Sequence, residues 1–170
     1  VARYEVDPQA SAVAIAARST IHPVHIAAHG LNGYLEGELG RGGRVDLKVP
    51  HRARLSMPVS QMRSGNPVQD MEMDRRMETG RYPTIDCEVD RLVANGRGGY
   101  RASARVMVHG QTRAVEAEVL ISTTGPGQVV IDVEHVFDMR DFGINPPSLL
   151  IVKVEPQVAV RVRIEAAARG

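Results

Sequence analysis

The stretch from Tyr100 to Ile121 restricts the possible folds more than any other. Tyr100, Ala102, Ala104, Val106 and Val108 alternate with Arg101, Ser103, Arg105, Met107 and His109. After Gly110 the alternation resumes, with Val115, Ala117, Val119 and Ile121 set against Ala114, Glu116, Glu118 and Leu120. Successive strand side chains point to opposite faces, so a period of two on both sides of a Gly-containing turn predicts an antiparallel hairpin with one buried face. That face is built mostly from small and medium side chains. A barrel lined this way is either tightly collapsed or roomy, and the function turns on which.

The same period recurs along the chain. Tyr4 to Asp7 reads as a short strand stopped by Pro8, and Ser11 to Arg18 as a second, with Val13, Ile15 and Ala17 on one face. Val24 to Leu39 carries Gly30, Gly33 and Gly37, which inside strand patterns mark bulges or bends. Val45, Leu47 and Val49 predict another strand, as do Ala53, Leu55, Met57 and Val59. Further strands are expected at Ile85, Cys87 and Val89, at Val129, Ile131 and Val133, and at Val158, Val160, Val162 and Ile164. Asn95-Gly96 opens a turn, and Asp138 to Ser148 reads as a loop. One helix interrupts the series. Asn66 is a good N-cap, Pro67 suits the first helical position, and Gln69 completes a capping-box spacing. The helix is expected to run to about Thr79, with Gly80 just past its end. About eight strands at regular spacing with one helix predict an all-β fold, a single antiparallel barrel or sandwich spanning residues 1–170.

With aromatics at 4% and no Trp, the core must be aliphatic. The formal net charge of +1 gives no electrostatic case for a nucleic-acid or membrane-surface partner. No window approaches the ~18 continuous apolar residues of a membrane-spanning helix. The opening Val1-Ala2-Arg3-Tyr4-Glu5-Val6-Asp7 does not read as a signal peptide. A cytoplasmic location is expected for the chain as given, and a periplasmic or secreted one if a leader was removed. The single cysteine, Cys87, excludes an intramolecular disulfide framework and reads as a small buried hydrophobe.

The candidates for chemistry are weak. His22, His25 and His29 are close together, but the zinc-protease pattern needs a Glu after the first histidine of the pair, where Ile26 stands. Surface or hydrogen-bonded structural histidines are the default reading, and no metal is expected. Asp141-Phe142-Gly143 matches a kinase tripeptide without the accompanying motifs. The charges from Asp70 to Arg76 read as a solvated helix face. The Gly-Arg turns at 40–44 and 96–99 lack aromatics to stack bases. No activated nucleophile is evident, so no enzyme and no cofactor is expected.

Four segments in order carry a resemblance. Tyr4-Glu5-Val6-Asp7 with Ser19-Thr20-Ile21-His22, then Met62-Arg63-Ser64-Gly65-Asn66 through Tyr82-Pro83-Thr84-Ile85, then His109-Gly110-Gln111-Thr112-Arg113, and finally Asp141-Phe142-Gly143-Ile144 resemble the motifs of the YceI-like family. Its members are polyisoprenoid-binding proteins with an extended, lipocalin-like barrel. The resemblance implies an antiparallel barrel with a long apolar cavity for an isoprenoid or similar long-chain lipid, bound, stored or transported without catalysis, and it points to a homodimer.

Strand alternation then nominates the cavity lining. Val13, Ile15, Ala17 and Ala28 are expected from the first strands, and Leu55, Met57, Ile85, Cys87 and Val89 from the middle of the chain. Ala102, Ala104 and Val106 come from the central hairpin, and Phe137, Phe142 and Ile144 from the segment after it. Met71 and Met77 on the helix would adapt to a flexible chain. No residue is assigned to a polar headgroup. The alternative is a structural or interaction module whose barrel is filled, in which the alanines let opposite walls collapse.

Overall fold

The computed structural model describes residues 1–146, 148–149 and 152–169. Its strands are β1 (Ala2–Val6), β2 (Ala12–Ser19), β3 (Val24–Ala28), β4 (Asn32–Gly37), β5 (Arg52–Pro58), β6 (Thr84–Ala94), β7 (Tyr100–Val108), β8 (Gln111–Ser122), β9 (Gln128–Asp138), β10 (Ser148–Leu149) and β11 (Val152–Ala168), with helix α1 (Pro67–Met77) between β5 and β6. Each of β1, β4, β5, β6, β7, β8, β9 and β11 pairs antiparallel with the next, and β1 pairs back onto β11, which closes an 8-strand barrel. Closure pairs the outer strands of this eight-strand set with each other, a usual solution for an all-β sheet, and among the described residues β3 is left as the end strand of the sheet, paired along one side only apart from the Ala27↔Arg63 bridge.

The long strand β11 makes closure possible. One of its edges takes β9 in continuous register from Gln157↔Asp138 to Ala167↔Gln128. The other takes β2 and then β1, whose connection folds back onto Glu165. There the fully buried Ser11 accepts from the Glu165 amide at 3.0 Å and donates to its carbonyl at 3.3 Å, so no polar group is orphaned at the junction. β3 extends the wall beyond β2 and meets the segment after β5, where Ala27 and Arg63 exchange backbone hydrogen bonds of 3.0 Å.

The barrel has two unlike ends. The connections 38–51, 95–99 and 123–127 lie at one, hereafter the loop end. Helix α1, the β7–β8 turn and the 3₁₀ turn Met139–Phe142 lie at the other, the helix end. The aliphatic core follows the inward faces of the strands, from Tyr4, Leu35, Val129 and Ile164 to Met57, Val59, Met62 and Met77.

Several expectations shift in three dimensions. Val24–Leu39 is two strands rather than one, split at Gly30, where the amide donates to the Pro8 carbonyl. Gly33 stays inside β4 because the neighbouring strand crosses too closely for a side chain: a Cβ there would lie 1.9 Å from the Arg54 carbonyl oxygen. Val45, Leu47 and Val49 alternate but form no strand. Asp46 turns the chain by accepting from the Lys48 amide at 3.0 Å, and only a single bridge, Leu39↔Val45, survives. Asn66 caps α1 as expected, accepting from the Val68 and Gln69 amides. The helix ends earlier than its sequence indicates. Glu78 takes the left-handed conformation expected near Gly80, and the Thr79 amide donates to the Asp74 carbonyl at 3.0 Å. The expected 138–148 loop contains the 3₁₀ turn, and Pro147 within it lies outside the described residues.

Candidate ligand cavity

The barrel encloses a cavity of about 500 Å³ with an almost wholly apolar surface. That volume falls within the ~300–1,000 Å³ of small-molecule sites. Its wall follows from strand alternation. Val13, Ile15 and Ala17 of β2 face it, as do Leu55 and Met57 of β5, Ile85, Cys87 and Val89 of β6, and Ala102, Ala104 and Val106 of β7. Phe137, Phe142 and Ile144 close the wall at the helix end. In β6 the alternation slips after Val89, where the register against β7 shifts, and Leu92 rather than Arg91 turns inward.

Two expected lining residues lie elsewhere. Met71 is 72% exposed, on the outer side of α1. The inner side is formed by Gln69, Glu72, Met73, Arg76 and Met77, whose spacings of three and four residues make one helical stripe. Met71 sits two residues from Gln69, on the other side of the axis. Ala28 is only 1% exposed, but it is sealed in the packed cluster with Val59 and Met62 rather than open to the cavity.

The structure also adds walls that the sequence-derived lining left out. β8 contributes Val115, Ala117, Val119 and Ile121, β9 contributes Val129, Ile131 and Val133, and β11 contributes Val158, Val160, Val162 and Ile164. Their period of two was already visible, and it carried the signal. His51 and His135 also line the cavity, in phase with Ala53-Leu55-Met57 and with Ile131-Val133 respectively. The ring of His135 meets Phe137 edge-on at 4.7 Å.

Charge is confined to the ends. At the helix end the polar groups answer one another. Asp70 accepts from the Ser64 amide at 2.9 Å and from its hydroxyl at 2.8 Å. Glu72 pairs with Arg75 at 2.9 Å and Arg76 at 2.7 Å, and hydrogen bonds from both guanidiniums hold its carboxyl below the usual carboxylate range. At the loop end, burial pushes the His51 imidazole below its ordinary value, with Asp46 opposing the shift. Within the wall, burial pushes the Cys87 thiol up to about 11, so it stays protonated at neutral pH.

Three of the motif segments meet beside α1. The β7–β8 turn carries positive φ at both His109 (55°) and Gly110 (71°), the pattern of a two-residue hairpin turn. His109 Nε2 lies 2.6 Å from Glu78 Oε2, and Nδ1 lies 3.0 Å from the Phe142 carbonyl oxygen. Tyr82 stacks edge-on against His109 at 5.3 Å and packs over Gly110, where a Cβ would lie 2.7 Å from its ring. The helix C-terminus, the hairpin and the 3₁₀ turn are thereby tied together. His22, His25 and His29, by contrast, are all exposed, and among the described residues no three His, Cys, Asp or Glu side chains are grouped to hold a metal.

Fold and interior together define a closed antiparallel β-barrel around an apolar cavity, flanked at one end by a helix. The chain belongs to the YceI-like family, whose domain model matches residues 4–166. Among solved structures it is similar to BcnA of Burkholderia cenocepacia, at 14% identity and a TM-score of 0.79 over 95% of this chain and 99% of that one. It is also similar to a polyisoprenoid binding domain from Saccharophagus degradans, at 14% identity and a TM-score of 0.73 over 99% and 100% of the two chains. A YCEI protein of Campylobacter jejuni matches at 8% identity and a TM-score of 0.70, over 89% and 88%. At these identities the likeness is one of fold. No curated protein matches the chain in sequence.

Proposed function

We propose that this protein binds an isoprenoid or similar long-chain amphiphilic lipid without catalysis, as a carrier or store. The observation that carries this reading is the cavity of about 500 Å³, walled by aliphatic side chains from end to end of the barrel. A hydrocarbon chain gains ~0.8 kcal/mol per buried CH₂, so several isoprene units supply a large gross driving force before ordering costs. Ala102, Ala104 and Ala117 leave the volume that larger residues would fill, which favours a ligand over a filled barrel. The likeness to a polyisoprenoid binding domain supports the same ligand class. A thiol held protonated in the wall suits a lining group, not a nucleophile.

Extraction of the purified protein into organic solvent, followed by mass spectrometry, tests the proposal, with a prenyl lipid as the expected result. Absence of lipid together with no thermal stabilisation by added prenyl lipids would sink it. Assembly as a homodimer is part of the same reading, and light scattering is expected to give twice the monomer mass.

A further inference from the structure

The barrel wall is not zipped along its whole height. Strands β8 and β9 pair only from Val119↔Val133 to Ser122↔Val130, toward the loop end. Toward the helix end, β8 from Gln111 to Glu118 is paired with β7 alone, and β9 from Glu134 to Asp138 with β11 alone. Extended by two residues, the shared register would set His135 opposite Ala117, but no rung forms there. The strands part instead, and the 3₁₀ turn that touches both carries Phe142 into the wall beside this split, its ring 6.1 Å from that of Phe137.

His135 stands at the lip of the split, on the cavity side, in phase with Ile131 and Val133. Among the inward-facing strand side chains that line the cavity, the polar ones are Tyr4, Cys87 and His135. Tyr4 is packed into the core cluster at the loop end, and Cys87 carries a protonated thiol, a weak donor. The His135 ring differs from both. It is only partly buried, neither nitrogen has a hydrogen-bond partner among the described residues, and neither is sealed off. Its edge-on contact with Phe137 holds the ring in place. Beside it there is room, because Ala117 and its β7 partner Ala102 both line the cavity with side chains of a single carbon.

We propose that the ligand lies with its polar terminus at the split between β8 and β9, where His135 takes a hydroxyl, while its prenyl chain runs toward the loop end. The inference rests on the reading of the cavity as a prenyl-lipid site. A hydroxyl both donates and accepts, so it can bond a ring nitrogen in either tautomer, whereas a carbonyl needs a nitrogen that carries a proton. From His135 toward the loop end, β9 presents Val133, Ile131 and Val129 and β11 presents Val162 and Ile164, an unbroken aliphatic wall for a hydrocarbon chain. The opposite orientation suits the ligand less. At the loop end the one unpaired nitrogen, His51 Nε2, is sealed by packing, and Glu38 is already bound to the Val1 ammonium at 2.9 Å, which leaves only the Tyr4 hydroxyl. On α1 the lining groups Asp70, Glu72 and Arg76 are engaged with Ser64, Arg75 and one another, which leaves Gln69 as the competing group at the helix end.

The test compares geranylgeraniol with the hydrocarbon of the same skeleton, titrated into the full chain by displacement of a fluorescent prenyl probe. The alcohol is expected to bind about 5- to 10-fold tighter than the hydrocarbon, the size of one buried hydrogen bond. In His135→Phe that advantage disappears while hydrocarbon binding persists, and His135→Gln, which keeps a donor and an acceptor, restores part of it. The ring-nitrogen NMR signals of His135, assigned by their absence from the His135→Phe spectrum, are expected to move with the alcohol and not with the hydrocarbon. An alcohol that binds no tighter than the hydrocarbon overturns the proposal. So does an advantage that survives in His135→Phe but is lost in Tyr4→Phe, which places the hydroxyl at the loop end, or in Gln69→Leu, which places it on the helix. In each of these cases hydrocarbon still binds and the cavity reading survives. Failure of both ligands and the probe to bind overturns the cavity reading and this assignment with it.

Discussion

The two ends of the barrel each carry an imidazole, and they use it in opposite ways. At the helix end His109 has both ring nitrogens engaged, one with Glu78 and one with the Phe142 carbonyl, and it ties three segments together. At the loop end His51 is seated against Gly37 with Nε2 unpaired. The same side chain is a structural tie where its partners are built into the fold, and a packed ring with one unpaired nitrogen where they are not. The imidazole is therefore expected to add to stability at the first end and not at the second.

The sharpest way to break this comparison is to loosen the helix end. Met77→Ala, which opens space beneath α1 at a residue only 7% exposed, is expected to cost about 2–3 kcal/mol in urea unfolding, whereas Met71→Ala on the outer side stays within about 0.5 kcal/mol. Equal costs for the two would mean that α1 is not held by its inner stripe. His109→Ala removes both hydrogen bonds and is expected to cost about 1–3 kcal/mol, lowering Tm by several degrees. Asn66→Ala removes the N-cap and is expected to cost about 1 kcal/mol.

His51→Leu is expected to move the other way in urea unfolding, from neutral to slightly stabilising, because it replaces an unpaired buried nitrogen with apolar atoms. A loss of stability comparable to that of His109→Ala would erase the distinction between the ends. The smallest effect is in pH. The folded protein holds the His51 ring below its ordinary value, so as pH falls past ~6.5 the unfolded chain takes up a proton that the folded one refuses. Stability therefore declines through that window and levels off once pH is below the folded value. Wild type and His51→Leu are expected to diverge on acidification, with the variant more stable, in urea midpoints measured from pH 7 to 5.

Much of this molecule is legible in its sequence because most of its contacts obey a local period. A strand that alternates must present one face inward wherever it pairs, so Val13 to Ala17, Ile85 to Val89 and Ala102 to Val106 could be placed on the wall without knowing their neighbours. The helix start was equally local, since Asn66 caps amides two and three residues away. Errors arose where a distant partner overrode the pattern. Val45 to Val49 alternates without a strand to pair with, and Met71 lost its place to a helical stripe set by the barrel beneath. Glu78 rather than Gly80 took the left-handed position, beside a histidine 31 residues away that meets its carboxylate.

What the sequence determined by itself is therefore an aliphatic antiparallel barrel with one capped helix and a wall of small residues, because periodicity and capping act over a few positions. Whether that wall encloses space was decided only by closure of β1 onto β11, which sets the distance between faces that no single strand specifies. Tertiary structure likewise decided the fate of the two histidines. Each sits in an ordinary sequence context, and what distinguishes them is that strands remote in the chain deliver Glu78 and Phe142 to His109, and nothing to Nε2 of His51.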